Sequence, residues 1–209
     1  LNDPVFIERF NLIQLRNGNW LNRNIGYKTD GIFMSQEEID NYPVDQSLLA
    51  GGTGNSRVIP GDIRYVDLNG DNYIDWRDQD EIGKGGLPDM TYGINLSATY
   101  KNFSLSMLFQ GATGFNFTFG NEIRNILINN VIPYKFQYDY RWTPDPNNPA
   151  VNINPNAQLP ASTAANANAN NSVVSDFWVQ DGTYLRLKNL NFGYEIPTSI
   201  KDMIGVTNF

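Results

Sequence analysis

The sequence predicts an all-β chain of antiparallel strands, with a transmembrane β-barrel carrying long extracellular loops as the favoured architecture and a secreted β-sandwich as the alternative. Three observations carry this reading. Residues 92–110 alternate apolar and polar with a period of two, and their polar side is small and uncharged. One turn is only two residues long, whereas other connections are very long and irregular, the asymmetry of outer-membrane barrels.

Composition narrows the functions available. Of 209 residues, 41% are hydrophobic, 18% charged and 13% aromatic, and 15 Lys+Arg against 22 Asp+Glu give a net charge of -7. No basic run offers a stripe to follow a phosphate backbone, so no nucleic-acid partner is expected. The chain has no cysteine and no histidine, which removes disulfides, thiolate or imidazole metal sites and His-based triads. No stretch approaches the roughly 18 consecutive apolar residues of a membrane helix, so a membrane role would have to be β. The start, Leu1-Asn2-Asp3-Pro4, lacks an initiator Met, a basic region and an apolar signal core, and reads as a processed product or a piece of something longer.

Along the chain, Ser35 followed by Gln36-Glu37-Glu38-Ile39-Asp40 has the spacing of a helix N-cap with an acid three residues on. Residues 60–66 follow with Ile63 and Tyr65 on one side of a short strand. They lead into a distinct loop region spanning 60–83.

Within that region, residues 67–78 place oxygen-bearing side chains at calcium-loop spacing. Asp67, Asn69, Asp71, Asp75 and Asp78 stand at positions 1, 3, 5, 9 and 12, with the backbone carbonyl of Tyr73 at position 7. Asn72 occupies the position where such loops need a left-handed residue, and Asn tolerates that conformation next best to Gly. Asp78 stands where the strongest loops carry a bidentate Glu, so binding weaker than a buffer protein's is expected. An ordinary solvated acidic turn is the alternative. A strand approaches the loop and Gly83-Lys84-Gly85-Gly86-Leu87-Pro88 leaves it, so the helix pair of a calcium sensor is absent and a structural calcium ion is the expectation.

The hairpin comes next. Tyr92, Ile94, Leu96, Ala98 and Tyr100 share one face, and after the Lys101-Asn102 turn Phe103, Leu105, Met107 and Phe109 continue it. The other face carries Gly, Asn, Ser, Thr and Gln, with Leu108 as an exception. A soluble sandwich would usually place Lys and Glu there. Eight steps at about 3.3 Å span roughly 26 Å, which at a tilt near 40° covers on the order of 20 Å of membrane height.

Residues 112–182 read as a long irregular outer loop, with six prolines between 133 and 160 and an Ala/Asn-rich run over 161–171. In residues 183–194 the apolar parity slips by one: Leu185 and Leu187 precede the slip, and Leu190, Phe192 and Tyr194 follow it. A β-bulge at Lys188-Asn189 would return all five to one face, and two short strands joined by a kink is the alternative. Trp76, Trp142 and Trp178 fall in loops, where a ring suits either sugar stacking or packing.

In their order, these segments resemble the SusC/RagA family of TonB-linked outer-membrane transporters. The resemblance rests on residues 26–33 (GYKTDGIF), Ser35 to Ile39, Pro60-Gly61-Asp62-Ile63-Arg64-Tyr65 before the acidic loop, and Ile82-Gly83 and Pro88 before Tyr92-Gly93. It continues through Phe109-Gln110-Gly111, Arg141-Trp142-Thr143-Pro144, and residues 184–190 closing on Gly193-Tyr194 and Pro197. The resemblance implies a C-terminal portion of a large plugged barrel, with the plug, the TonB box, the early strands and the last strands outside this chain. It further implies import of oligosaccharides or peptides, a SusD-type lipoprotein partner, TonB as energy source, an outer-membrane location and no enzymatic activity. Phe209 is expected to mark the end of a fragment. The rival functions are a secreted calcium-stabilised module that binds carbohydrate or a protein, and a glycoside hydrolase fragment, for which no carboxylate pair stands outside the acidic loop.

Overall fold

The computed structural model describes residues 22–124, 133–161 and 169–198. Residues 162–168 of the Ala/Asn-rich run and the terminal Phe209 lie outside them. In chain order the strands are β1 (Arg23–Tyr27), β2 (Thr29–Ile32), β3 (Ile63–Tyr65), β4 (Gln79–Lys84), β5 (Met90–Tyr100), β6 (Phe103–Thr113), β7 (Asn116–Thr118), β8 (Val179–Asp181) and β9 (Tyr184–Tyr194). Short helices include α1 (Gln36–Asp40) and α2 (Lys135–Tyr140). Among the described residues no helix is long and apolar enough to cross a membrane, which says nothing of crossing by strands.

The chain forms two compact units, one of residues up to 85 with 116–180, the other of 86–115 with the residues from 181 on. The first unit is built from paired short strands, β1 with β4, β2 with β3 and β7 with β8, all drawn from distant parts of the sequence. Their apolar residues point inward: Tyr27, Val44, Leu49, Ile63, Tyr65, Ile74 and Trp178 form one core cluster, and Phe33, Ile39, Ala50 and Val58 another. The expected cap at Ser35 is present. Its hydroxyl accepts the Glu38 N–H at 3.2 Å, and the Glu38 carboxylate reaches back to the Met34 N–H at 2.7 Å and to the Arg64 guanidinium.

A buried polar network ties this unit together. Gln46 Nε2 donates to Ile63 O at 3.0 Å and to Asn170 Oδ1 at 2.7 Å, and Asn170 Nδ2 donates to Ile63 O at 2.8 Å. Asn171 accepts the Ile63 N–H at 2.8 Å and donates to Asp62 Oδ1 at 2.7 Å. Short regular elements occur within residues 112–182, the segment expected to form an irregular outer loop. Its β7, β8 and α2 are regular, and its asparagines close their own turns, as Asn152 does by accepting the Thr143 and Asn154 N–H groups at 3.0 Å each.

The second unit is a single antiparallel sheet in the order β5-β6-β9, each strand eleven residues long. The β5–β6 register runs without a break from Met90 opposite Thr113 to Tyr100 opposite Phe103, so the turn is Lys101-Asn102. Lys101 takes a left-handed φ of 52° there, and Asn102 is latched to the end of β9 through two 2.7 Å bonds with Glu195. The parity slip in β9 is a bulge: Leu108 pairs with Asn189 and Phe109 with Leu187, leaving Lys188 as the extra residue. The sheet is open among the described residues, with β5 and β9 at its edges.

Candidate functional site: an outward apolar face and an acidic loop

Side-chain alternation combined with the observed register puts one continuous apolar surface on the sheet. Five rows run across β5, β6 and β9: Tyr100–Phe103–Tyr194, Ala98–Leu105–Phe192, Leu96–Met107–Leu190, Ile94–Phe109–Leu187 and Tyr92–Gly111–Leu185. The bulge at Lys188 is what keeps Leu185 and Leu187 in the same rows as Leu190, Phe192 and Tyr194. This face is exposed, with Tyr100 at 73%, Phe192 at 69% and Leu185 at 59% accessible.

Aromatic rings close the lower end, where Phe103 lies 4.7 Å from Tyr194 and 5.9 Å from Phe192 between ring centres. At the other end the Tyr92 ring lies over Gly111, where a Cβ would meet it at 2.3 Å, so a side chain there would displace the ring. Ten steps at about 3.3 Å and a tilt near 40° give on the order of 25 Å of height, the thickness of the apolar band on an outer-membrane strand. A soluble sheet would bury such a surface, because exposed apolar patches this continuous are sites of contact with lipid or protein.

The opposite face carries Thr91, Gly93, Asn95, Ser97 and Thr99 on β5, with Ser104, Ser106, Leu108, Gln110 and Ala112 on β6. Tyr184, Arg186, Asn189, Asn191 and Gly193 complete it on β9. Arg186 is fixed by a 3.3 Å bond to Gln110 Oε1 across the strands and lies with its guanidinium carbon 5.2 Å from the Tyr184 ring centre. The strand ends that lead to and from the long connections, at Met90, Thr113 and Tyr184, all fall at the end of the sheet away from the Lys101-Asn102 turn.

The acidic loop follows the expected backbone path. Asn72 adopts the left-handed φ, 61°, that the spacing asks of its position, and Gly70 takes one of 78°. Asp67 accepts the Gly70 and Asn72 N–H groups at 2.7 Å each, Asn69 Oδ1 accepts the Asp71 N–H at 2.8 Å, and Asp71 accepts the Tyr73 N–H at 3.0 Å. Strands β3 and β4 flank the loop, with a single 3₁₀ turn over Trp76–Asp78, so no sensor-type helix pair is present.

The charge balance in the loop is a feature that spacing alone does not reveal. Arg77 Nη2 lies 2.6 Å from Asp71 and 3.0 Å from Asp75, so a guanidinium stands between two of the carboxylates. Asp78 is fully buried and accepts N–H groups from Leu68 at 3.0 Å, Asn69 at 3.4 Å and Asp75 at 2.8 Å. Burial pushes the Asp78 carboxyl above the usual range despite those donors, with the Asp67 charge adding to the rise. At Asp67, slight burial pushes the same way but the N–H groups of Asn72 and Gly70 prevail and lower it. The oxygens suit a hard cation, yet among the described residues no group of three or more acidic side chains is arranged to hold a metal ion.

The three loop tryptophans divide. Trp142 and Trp178, expected as either ligand contacts or packing residues, are each only 2% exposed and lie in packing positions. Trp178 donates its indole N–H to Asn171 O at 2.8 Å and packs edge-on against Phe177. Trp142 fills the space over Gly61, whose φ of 94° and missing Cβ, which would sit 2.6 Å from the indole, let the ring in. Trp76 is half-buried in the acidic loop.

Comparison with known proteins points the same way as the sheet. No family model matches the chain. Among curated proteins it is 32% identical over 184 residues to TonB-dependent receptor P26 of Formosa agariphila, covering 88% of this chain and 16% of that protein. It is 29% identical over 207 residues to TonB-dependent receptor P3 of the same organism, covering 96% of this chain and 18% of that protein. A third relative, TonB-dependent receptor P39, is 28% identical over 156 residues, or 71% of this chain and 14% of that protein. The chain is thus similar to part of these TonB-dependent receptors, and it spans less than a fifth of the length of the curated relatives it matches.

Proposed function

We propose that this chain is a stretch of barrel wall with its outer-side loops, from a TonB-dependent outer-membrane transporter of the SusC/RagA kind. The observation that carries the reading is the set of five apolar rows on an exposed sheet face without a single charge, over strands of membrane-spanning length. The homology to receptors so named supports it. In such a protein the apolar face meets outer-membrane lipid and the Lys101-Asn102 turn lies on the periplasmic side. TonB would be engaged by other parts of the polypeptide. The cargo would be oligosaccharide or peptide, delivered with a SusD-type lipoprotein, and the protein would act as a transporter without enzymatic activity of its own. A secreted sandwich module would need a second sheet to cover the same five rows.

A structural calcium ion at Asp67, Asn69, Asp71, Tyr73, Asp75 and Asp78 is the second part of the proposal. The oxygen donor set and the left-handed Asn72 support it. The ion would take over the charge balance that Arg77 provides in the described conformation.

Expression of the full-length polypeptide tests the main reading. Recovery in the outer-membrane fraction, with solubility only in detergent, is expected. A monomer that stays soluble without detergent would refute the barrel. Co-purification of a SusD-type lipoprotein tests the partner, and uptake of labelled oligosaccharides or peptides by cells with and without TonB tests the transport activity.

A further inference from the structure

The charges in the membrane-length strands are few and one-sided. Strands β5 and β6 contain no charged residue at all, and β9 contains two, both cations, Arg186 and Lys188. This stands against a chain whose net charge is -7. The register assigns Arg186, opposite Gln110, to the polar face and leaves Lys188 as the extra residue between Leu187, opposite Phe109, and Asn189, opposite Leu108. A bulge in which Lys188 and Asn189 together oppose Leu108 carries Lys188 to the polar face as well.

In that arrangement the bulge keeps the apolar rows intact and adds a second cation to the polar face. Removing it would leave strict alternation with one cation fewer. The Arg186 guanidinium gives one Nη2 bond to Gln110 and lies over Tyr184, which leaves further donors among its five N–H groups, and apart from Tyr184 and Leu108 the side chains around it on β5 and β6 are short or carboxamides. A planar, anchored guanidinium next to a flexible ammonium, with no carboxylate in the strands to cancel them, is suited to an oxyanion.

We propose that Arg186 and Lys188 form a binding site, on the face turned away from lipid, for an anionic group such as a carboxylate or sulfate carried by a transported solute. The proposal rests on the barrel reading, in which this face lines the interior.

The test uses the full-length protein in intact outer membranes, with one thiol introduced by Asn191→Cys on the polar face and, separately, by Leu190→Cys on the apolar face. This chain has no cysteine of its own, and any elsewhere in the polypeptide would be replaced. An anionic methanethiosulfonate, the sulfonatoethyl reagent, is compared with the cationic trimethylammonioethyl one. At position 191 the anionic reagent should react faster by on the order of tenfold. Arg186→Gln with Lys188→Gln should bring the ratio close to unity, whereas Arg186→Lys with Lys188→Arg should preserve it. Trigalacturonate should slow the anionic reagent and neutral maltotriose should not.

A ratio unmoved by the Gln substitutions overturns the proposal. So does a position 191 that neither reagent reaches, because the face would then be covered by protein. A preserved ratio without protection by trigalacturonate also overturns it, because the charges would serve the wall alone. If position 190 reacts as readily as position 191, it is the barrel reading that fails, and this outcome is separate from the others.

Discussion

The two units of this chain bury opposite things. In the first, Tyr65, Phe33, Ile63 and Ile74 are wholly inside and Asp71, Asn69 and Gly70 face out, the arrangement water imposes on any core. In the second, Phe192, Leu190 and Leu185 are outside and the residues opposite them are Asn, Ser and Gly. One polypeptide thus carries two solvent codes. The backbone is paired by strand ladders in the sheet and, in the loop-rich unit, also by Asn, Gln and Asp side chains from distant parts of the sequence. The difference lies in what the side chains expect on the other side of the surface.

The largest effect that separates the two codes is expected in the water-type core. Trp178→Ala in the full-length protein would remove a ring that is almost fully buried and the bond it donates to Asn171. A loss of about 3 to 5 kcal/mol is expected, as for other large-to-small changes at buried aromatics. Protease accessibility of the first unit and its unfolding midpoint in detergent measure it, and a shift below about 1 kcal/mol would mean that this core is not what holds the unit.

Next in size is a charge on the apolar face of the sheet. Leu190→Arg places a guanidinium in the middle row, where the proposed barrel would make insertion cost about 2 to 4 kcal/mol. Asn191→Arg, one residue along and facing the other way, should cost far less. Reversible folding into lipid vesicles under denaturant gives both numbers. Equal costs at 190 and 191 would show that neither face meets lipid.

These contrasts also explain what could be read in advance and what could not. Period-two alternation is local, so β5, β6, the Lys101-Asn102 turn and even the bulge at Lys188 were visible as patterns in neighbouring residues. The Ser35 cap and the left-handed Asn72 were visible for the same reason. The pairing of the first unit was not, because its strands are short and their partners are far away: Tyr27 of β1 pairs with Gln79 of β4, and Ile63 bonds to Asn171. Asn170 and Asn171 belong to the Ala/Asn-rich run of the expected outer loop, yet both are buried and hold Gln46, Asp62 and Ile63 in place. Trp142 and Trp178 looked available because loops are usually superficial, and only the packing over Gly61 and Asn171 shows them closed off. Spacing gave the oxygens of the acidic loop. It gave no sign that Arg77 would fold back between Asp71 and Asp75.

A third test sharpens the comparison at the buried network itself. Asn170→Ala would leave Gln46 Nε2 with only Ile63 O, and would remove a second donor to that carbonyl. Unmaking buried hydrogen bonds of this kind costs about 1 to 3 kcal/mol. Amide exchange should then quicken at Ile63 and Tyr65 while the β5-β6-β9 sheet is unchanged. Exchange that rises equally in both units would indicate that they unfold together.

The smallest effect concerns the acidic loop, where an arginine and an ion compete for one place. Arg77 is exposed and its pairs with Asp71 and Asp75 contribute little to stability by themselves, because solvent screens them. Its replacement by Gln should therefore leave the melting temperature in chelator within a few degrees of the parent's. The same change removes the charge that an incoming cation would have to displace, so calcium affinity should rise, by about tenfold for a competing interaction of about 1.4 kcal/mol. Titration of the full-length protein and of Arg77→Gln with calcium, followed by calorimetry and by the fluorescence of Trp76 within the loop, reads that difference. If neither protein binds calcium at millimolar concentration, the guanidinium is the loop's permanent counter-ion, and the acidic spacing serves a turn that closes on its own side chains.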